Sequence, residues 1–485
     1  MKQRRWVELL ACAACGIFCA LCFDAAALAP FLWAALAPVF FVLLKNRNGR
    51  RRTILCACAF ALALTLVYYA QMLSLDISAR AGDASGALLV LAWLGLSVLH
   101  GAVFAAALSA GALLKCPAAL RAVLFAALFT GAEWLLGAGV LGLPFLRLGL
   151  TQWRLLPVTQ SASLFGVLFI GFLIVMVNVL LAQAVLKAGK GRLRYFLAAA
   201  LVFFANFAGG ALSLGAVKEE PDVSVAVVQT NAPFWRDEGN GRFEKALSLG
   251  ARAAEKKPDF IIFPENSVYG SFAEESELNG PVAALAEESG AYVLTGVYGI
   301  HGFRLRNSVF LTTPDGEISD VYHKQRLVPF FENGYERAFS FEDGKERGLF
   351  ETEYGTVGVM ICFESLFPDI ASETTAEGAE LLVVATNDSW FKNDIPLTRH
   401  LAQSVLRAQE TKRWLVQAGN TGMTAIISPT GEITAALGAN TDGVLAGSVA
   451  FRREKAGYSA VGDWWLAAAV GAAALGVAYA YKKRI

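Results

Sequence analysis

Tyr354-Gly-Thr-Val-Gly-Val-Met-Ile-Cys-Phe-Glu-Ser-Leu-Phe-Pro-Asp369 is the stretch on which the reading of the chain turns. It starts in a Gly-containing turn and continues as an apolar run, Val357 to Ile361, the pattern of a buried strand. The run ends on Cys362, and Phe363-Glu364-Ser365 leads into a helix predicted over Ser365–Glu377. A cysteine at a strand exit meets the free backbone N–H groups of the following helix, and those groups favour a thiolate over a thiol. The plain alternative is a buried structural cysteine. What accompanies Cys362 decides between the two.

The chain has 485 residues, of which 55% are hydrophobic and 17% charged, with a mean hydropathy of +0.48. That length predicts more than one domain, and that balance is too apolar for a soluble protein. A net charge of +1 gives no reason to expect a nucleic-acid partner. Seven of the eight cysteines (Cys12, Cys15, Cys19, Cys22, Cys56, Cys58 and Cys116) lie in or beside apolar runs near the N-terminus. Cys362 alone lies outside them, so no disulfide framework is available to the polar part of one chain. Cys12, Cys15, Cys19 and Cys22 share helical spacing, and read as a small-residue packing face in a membrane helix rather than as a metal site. Leu9-Leu10-Ala11-Cys12 mimics a lipid-attachment box, but the apolar run before it is too short for a signal segment.

Seven apolar stretches precede residue 220: Val7–Phe23, Ala26–Leu44, Thr53–Met72, Ala87–Leu114, Leu120–Val140, Ala162–Leu186 and Phe196–Val217. Most are long enough to cross a bilayer. An eighth, Trp464–Tyr479, opens on an aromatic pair suited to a membrane interface. Cations collect at the N-terminus (Lys2, Arg4, Arg5), in the second gap (Lys45, Arg47, Arg50, Arg51, Arg52), around the fourth (Lys115, Arg121), in the sixth (Lys187, Lys190, Arg192, Arg194) and at the C-terminus (Lys482, Lys483, Arg484). The odd-numbered gaps hold only Arg80, Arg147 and Arg154. Positive charge stays on the cytoplasmic side, so both termini are expected there and the segment between spans seven and eight is expected outside. In a bacterium this means an inner-membrane protein with a periplasmic domain. The expected organisation is a seven-helix membrane domain over 1–217, an outward domain over 218–452, and a last span with its tail over 453–485. Within the fifth span, Glu133 either faces a polar interior with a direct role or pairs near the outer interface with a neighbour such as Arg147. The stretch from Gly142 to Trp153 reads as a re-entrant or interfacial loop, open to a lipid-entrance role or to packing alone.

From Val223 to Val449 strand-like runs alternate with amphipathic stretches, which is α/β patterning. Strands are predicted at Val223–Gln229, Phe260–Pro264, Tyr292–Val297, Ser308–Thr312, Val357–Cys362, Leu381–Ala385, Trp414–Gln417 and Thr424–Ser428. Besides Ser365–Glu377, helices are predicted at Arg242–Lys256, Pro281–Glu288 and Leu397–Lys412. Thr313-Pro-Asp-Gly316 and Ser428-Pro-Thr-Gly431 read as hairpin turns. Reactive groups stand at strand ends: Glu265 in Phe263-Pro-Glu265, Lys324 in Tyr322-His-Lys324, and Cys362. A nucleophilic thiol needs a base for its proton and a cation for the oxyanion, and Glu265 and Lys324 supply both types. Each alone is equally a satisfied cap, an ion pair or a surface lysine, and spacing does not bring them together.

This domain resembles the nitrilase, or carbon–nitrogen hydrolase, superfamily, whose triad of Glu, Lys and Cys falls on Glu265, Lys324 and Cys362. The whole chain, spans included, resembles the apolipoprotein N-acyltransferase family. The matches are Glu133-Trp134-Leu135 with Gly142-Leu-Pro144, Gln229-Thr-Asn231, Phe263-Pro-Glu265, Tyr322-His-Lys324 with Leu327-Val-Pro-Phe330, Ile361-Cys-Phe-Glu364, Thr386-Asn-Asp-Ser-Trp-Phe391, His400-Leu401, Arg407-Ala-Gln-Glu410 and Asn420-Thr-Gly422. Phe363 stands where the family usually has Tyr, Phe331 where it has Gly before the second glutamate, and Asn333-Gly334 also departs.

The resemblance implies a polytopic α-helical membrane domain plus an extracytoplasmic αββα sandwich. It implies transfer of an acyl chain from a phospholipid to the α-amine of a diacylglyceryl-cysteine at an apolipoprotein N-terminus, through a thioester on Cys362. Glu265 would be the base, Lys324 and the Phe363 N–H the oxyanion donors, and Glu332 and Glu364 supporting carboxylates. Thioester aminolysis is downhill, so no cofactor is expected. The resemblance places Trp235 near the lipid, and Trp390, Phe331 and Phe367 are candidates for an acyl-binding rim, each equally suited to core packing. Two other classes stay open: a membrane-anchored amidase using the same triad with water, and a scaffold that has kept the fold without activity.

Overall fold

The computed structural model describes residues 2–47, 49–77, 85–139, 142–216, 220–232, 241–270, 279–301, 304–329, 332 and 341–483. The chain divides into two compact units, Met1–Ala216 with Val461–Ile485, and Val217–Ala460.

The first unit is helical. Each of the eight apolar stretches carries helix: Lys2–Leu21, the Ala29–Lys45 segment, Arg50–Tyr69, Ser85–Leu113, Arg121–Gly137, Val167–Leu186, Gly189–Ala216 and Trp464–Lys482. Among the described residues, five helices are long and apolar enough to cross a membrane: Arg50–Ser74, Ser85–Leu113, Val167–Leu186, Gly189–Ala216 and Trp464–Lys482. The other three fall short for separate reasons. Lys2–Leu21 opens on charged sequence, and Arg121–Gly137 has 17 residues. The second stretch is cut into Ala29–Phe31, Leu32–Ala35 and Ala37–Lys45, with Pro30 and Pro38 each in the opening turn of a piece.

The stretch after Gly142 is pinned from within. Glu133 is 1% exposed, and its Oε1 accepts the Leu148 N–H at 2.8 Å. The Gln152 amide donates to Ala29 O at 2.8 Å and accepts from Trp33 Nε1 at 3.1 Å. Glu133 therefore anchors the 148–152 turn through its backbone, a partner that sequence reading did not name.

Among the described residues, the second unit holds thirteen strands in two sheets. The first sheet contains β1 (Val223–Gln229), β2 (Phe260–Ile262), β3 (Val268–Tyr269), β4 (Tyr292–His301), β5 (Arg304–Thr312), β6 (Ile318–His323) and β13 (Gly443–Val449), in the order β13-β1-β2-β4-β5-β6 with β3 beside β4. The second contains β7 (Gly348–Thr352), β8 (Gly355–Ile361), β9 (Leu381–Thr386), β10 (Trp414–Gly419), β11 (Thr424–Ile427) and β12 (Ile433–Leu437), in the order β12-β11-β10-β9-β8-β7.

Strand alternation sets the layers. Val225, Val227, Ile262 and Leu294 of the first sheet share one core with Val357, Val359, Ile361 and Val383 of the second. The alternate residues Ala226, Val228, Ile261 and Val293 pack instead against Ala246, Leu249, Val282 and Leu285, which lie on the helices Gly241–Ala254 and Asn279–Ser289. Both faces of this sheet are thus buried, as continuous apolar runs require. The result is an αββα sandwich.

The single helix expected over Ser365–Glu377 is two pieces, a 3-10 turn at Cys362–Leu366 and a helix at Pro368–Ala376. Pro368 forces the break, because it disfavours helical geometry at Phe367.

Candidate active site

The parallel register carries the reactive groups to one end of the sandwich. β2 runs parallel to β1 and β4, and β6, reversed twice across β5, runs the same way. Glu265 follows β2 and Lys324 follows β6. In the other sheet β8, β9 and β10 are parallel, and Cys362, Asn387 and Asn420 follow them.

Glu265 is 2% exposed and Lys324 is 1% exposed. Lys324 Nζ stands 2.9 Å from Glu332 Oε1 and 3.5 Å from Glu265 Oε1. Asn307 Nδ2 donates to both carboxylates, at 2.6 Å to Glu265 and 3.1 Å to Glu332. Tyr298 Oη donates to Glu265 Oε1 at 3.3 Å, and the Asn387 N–H donates to Oε2 at 2.7 Å. Both Glu265 oxygens and Glu332 Oε1 thus face donors, as buried charge demands. The Lys324 N–H also bonds Asn307 O at 2.9 Å, so the lysine is held at its backbone as well as its head.

Cys362 sits at φ 51°, in the left-handed region. For a side chain this costs roughly 1–2 kcal/mol, and its surroundings hold it there. Glu364 Oε2 accepts the Ile361 N–H at 2.7 Å, and its Oε1 accepts the Gln325 and Arg326 N–H groups at 2.6 and 3.0 Å. Tyr322 Oη reaches both Glu364 oxygens, at 2.8 and 2.9 Å. Glu364 therefore ties the cysteine elbow to the backbone just after Lys324. It fixes geometry through N–H groups, whereas Glu332 grips the lysine itself. On the far side, Arg407 donates to Ser365 O and Leu366 O, at 3.3 Å each.

Electrostatics set the resting protonation. Burial raises the Glu265 pKa, Lys324 lowers it and Glu332 raises it again, leaving it above the usual carboxylate value. Burial works against the Lys324 ammonium, but Glu332, Glu265 and Cys362 outweigh it and keep the lysine charged. Burial and the Glu265 carboxylate push the Cys362 thiol well up, and Lys324 only partly opposes them. These contributions oppose the thiolate that free N–H groups at a helix start were expected to favour. The 3-10 turn that opens at Cys362 has five residues and a weak dipole, so the carboxylate beside the thiol, not the turn, is the group placed to draw off its proton.

The aromatic candidates separate. Phe367 is 2% exposed; its ring meets Phe363 edge-on at 5.0 Å and lies under the Arg326 guanidinium at 4.5 Å. That is a packing position. Trp390 is half-buried. Trp235 and Phe331 lie outside the described residues. Tyr298 and Asn307 went unnoticed in the sequence. Their signal is positional: they are direct cross-strand partners on β4 and β5, and only the register reveals it.

A buried carboxylate, a buried ammonium and a strained cysteine at strand ends of an αββα sandwich define a carbon–nitrogen hydrolase domain. The Carbon-nitrogen hydrolase family matches residues 224–456, and the Apolipoprotein N-acyltransferase N-terminal domain matches residues 15–180. The apolipoprotein N-acyltransferase of Thermotoga maritima is 30% identical over 71% of this chain and 68% of its own length. That of Geobacter metallireducens is 29% identical over 74% of each chain, and that of Nostoc sp. is 27% identical over 92% of this chain and 94% of its own. The Saccharomyces cerevisiae Nit3 structure, of the nitrilase superfamily, has a TM-score of 0.41 and 16% identity, covering 48% of this chain and 93% of that one. The chain belongs to the apolipoprotein N-acyltransferase family. It is a membrane protein and an acyltransferase.

Proposed function

We propose that the chain moves an acyl group from a phospholipid to the free α-amine of a diacylglyceryl-cysteine at a lipoprotein N-terminus. Glu265 takes the Cys362 proton, and the sulfur attacks the ester carbonyl of the phospholipid. Lys324 and the Phe363 N–H receive the oxyanion. The lysophospholipid leaves with the proton from Glu265, and a thioester remains on Cys362. The acceptor amine then attacks the thioester, and Glu265, again ionised, takes the proton of the attacking amine and passes it to the departing sulfur. Glu332 holds Lys324, and Glu364 holds the elbow. Trp390, Trp235 and Phe331 are assigned to the acyl-chain surroundings. The reaction takes place at the periplasmic face of the inner membrane, with residues 218–452 outside, and 1–217 and 453–485 supplying the spans and two cytoplasmic termini.

The observation that carries this reading is the buried contact of Lys324 with both Glu265 and Glu332, at 3.5 and 2.9 Å. A lysine so held is a fixed cation aimed at developing charge, which is what oxyanion stabilisation needs. The test is mass spectrometry of protein incubated with phospholipid vesicles without an acceptor. The expected product is an acyl thioester on Cys362, lost on adding the amine acceptor. Absence of the adduct under acid quench would rule out the two-step route.

A further inference from the structure

His400 takes no part in the scheme above, yet it lies behind the nucleophile. It sits on the helix Asp394–Thr411 and is 8% exposed. Its Nδ1 is 2.8 Å from Asp388 Oδ1, and its Nε2 is 3.2 Å from Cys362 O. The first partner is a carboxylate and the second a carbonyl, and both only accept. The nearer neighbour of Nε2 is the fully buried Ser365 hydroxyl at 2.9 Å. Because its one proton goes to the Cys362 carbonyl, at 2.9 Å, it too accepts from Nε2, so acceptors at both nitrogens favour the doubly protonated ring. Thr386 Oγ1 stands 3.5 Å from Nδ1. Burial disfavours the charged ring, but Asp388, the Cys362 carbonyl and Glu265 outweigh it and raise its pKa above the ordinary histidine value.

The oxygen that these donors reach belongs to a particular peptide group. The Cys362 carbonyl and the Phe363 N–H are two ends of one amide. Donors on the oxygen draw electron density through the amide and strengthen the N–H as a donor, and chains of hydrogen bonds polarise one another in this way by ~10–30% per bond. A cationic donor does so more strongly than a neutral one.

We propose that His400, held by Asp388, is a positioning residue for acyl transfer: with Ser365 it polarises the Cys362–Phe363 peptide from behind, so that the Phe363 N–H becomes a stronger oxyanion donor. The proposal rests on the thioester reading above. It assigns to the Thr386–Asp388 turn and the helix bearing His400 a share in the chemistry, although neither carries Glu265, Lys324 or Cys362.

The experiment separates oxyanion support from mere placement of the sulfur. Two rates are measured on the full-length protein in detergent: thioester formation on Cys362 from phospholipid, and alkylation of Cys362 by iodoacetamide, read by peptide mass. Alkylation needs the sulfur but develops no oxyanion. His400→Leu fills space without a donor. His400→Gln returns an N–H near the Nε2 position. The expected result is a loss of thioester formation of roughly 10- to 100-fold in His400→Leu, smaller than the ~10²–10³ for deleting an oxyanion donor outright. Alkylation stays within about threefold of wild type, and His400→Gln recovers most of the loss. Equal rates in His400→Leu and wild type overturn the proposal, as do acylation and alkylation falling together or His400→Gln matching His400→Leu. Should His400→Leu fail to fold, Ser365→Ala carries the same comparison. Lys324→Ala in the same assay isolates the parent reading: full activity there removes the triad assignment, whereas its loss beside an active His400→Leu removes this inference alone.

Discussion

Lys324 is where the chemistry of single residues is decided, because it satisfies two carboxylates at once. As base, Glu265 must be ionised. Its pKa is raised by burial and by Glu332, with Lys324 opposing. Activity is therefore expected to fall as pH drops through a value above the ordinary carboxylate range. Lys324, raised by its carboxylate partners, stays charged throughout and sets no alkaline limit in the accessible range. Glu332→Gln removes the charge that raises Glu265, and also frees Lys324 to pair with Glu265 alone. Both changes act in one direction, so the acid limb of kcat/KM moves to lower pH in that variant. A limb already at the ordinary carboxylate position in wild type, or one moving upward in Glu332→Gln, would contradict the assignment of Glu265 as base. Cys362, its own pKa pushed up, depends on that base across the same range.

The elements aim these residues, and one close approach shows how. A Cβ on Gly296 of β4 would lie 2.7 Å from Glu265 Cα and would also collide with Pro264 O. Backbone on both sides leaves no flexible group to yield. Gly296→Ala is thus expected to displace the turn carrying Glu265. Overpacking of this kind costs about 1–3 kcal/mol of stability, and a shift of ~1 Å at a catalytic group costs about 10²-fold in rate. Denaturant unfolding beside the acyl-transfer rate checks both; a folded Gly296→Ala protein with wild-type turnover would refute the displacement. The same register explains what could be read beforehand. Strands buried on both faces, such as β1, β8 and β9, are continuous apolar runs, and their positions followed from composition. β6 alternates between half-buried and exposed residues up to Tyr322 and carries Ser319 and Asp320, while β12 alternates likewise but is short and Ala-rich, so neither stood out as an apolar run. Glu265, Lys324 and Cys362 were legible because they end strands or follow strong motifs. Asn307 was not, because an asparagine inside a strand acquires meaning only from what the neighbouring strands set beside it.

At the scale of the whole molecule, the question is which side of the membrane the hydrolase unit faces. Cations concentrate in the even gaps and at both termini, while the odd gaps hold Arg80, Arg147 and Arg154. Of these, Arg147 is buried, at 4% exposed, whereas Arg154 is exposed, with its guanidinium 4.3 Å over the Trp153 ring. The charge bias that orients helices is set by Lys and Arg in short loops near the ends of the spans. Both substrates of the proposed reaction are lipids, and drawing an acyl chain fully into water would cost roughly 0.8 kcal/mol per CH₂. A hydrolase unit tethered by spans at both ends can work beside the bilayer surface instead. Alkaline phosphatase, which folds only outside the cytoplasm, is expected to be active when fused after Ala460 and inactive when fused after Ile485. A fluorescent protein that matures only in the cytoplasm should give the opposite pair. If phosphatase activity appears at Ile485 and not at Ala460, the hydrolase unit faces inward, and a periplasmic lipoprotein acceptor would be out of its reach.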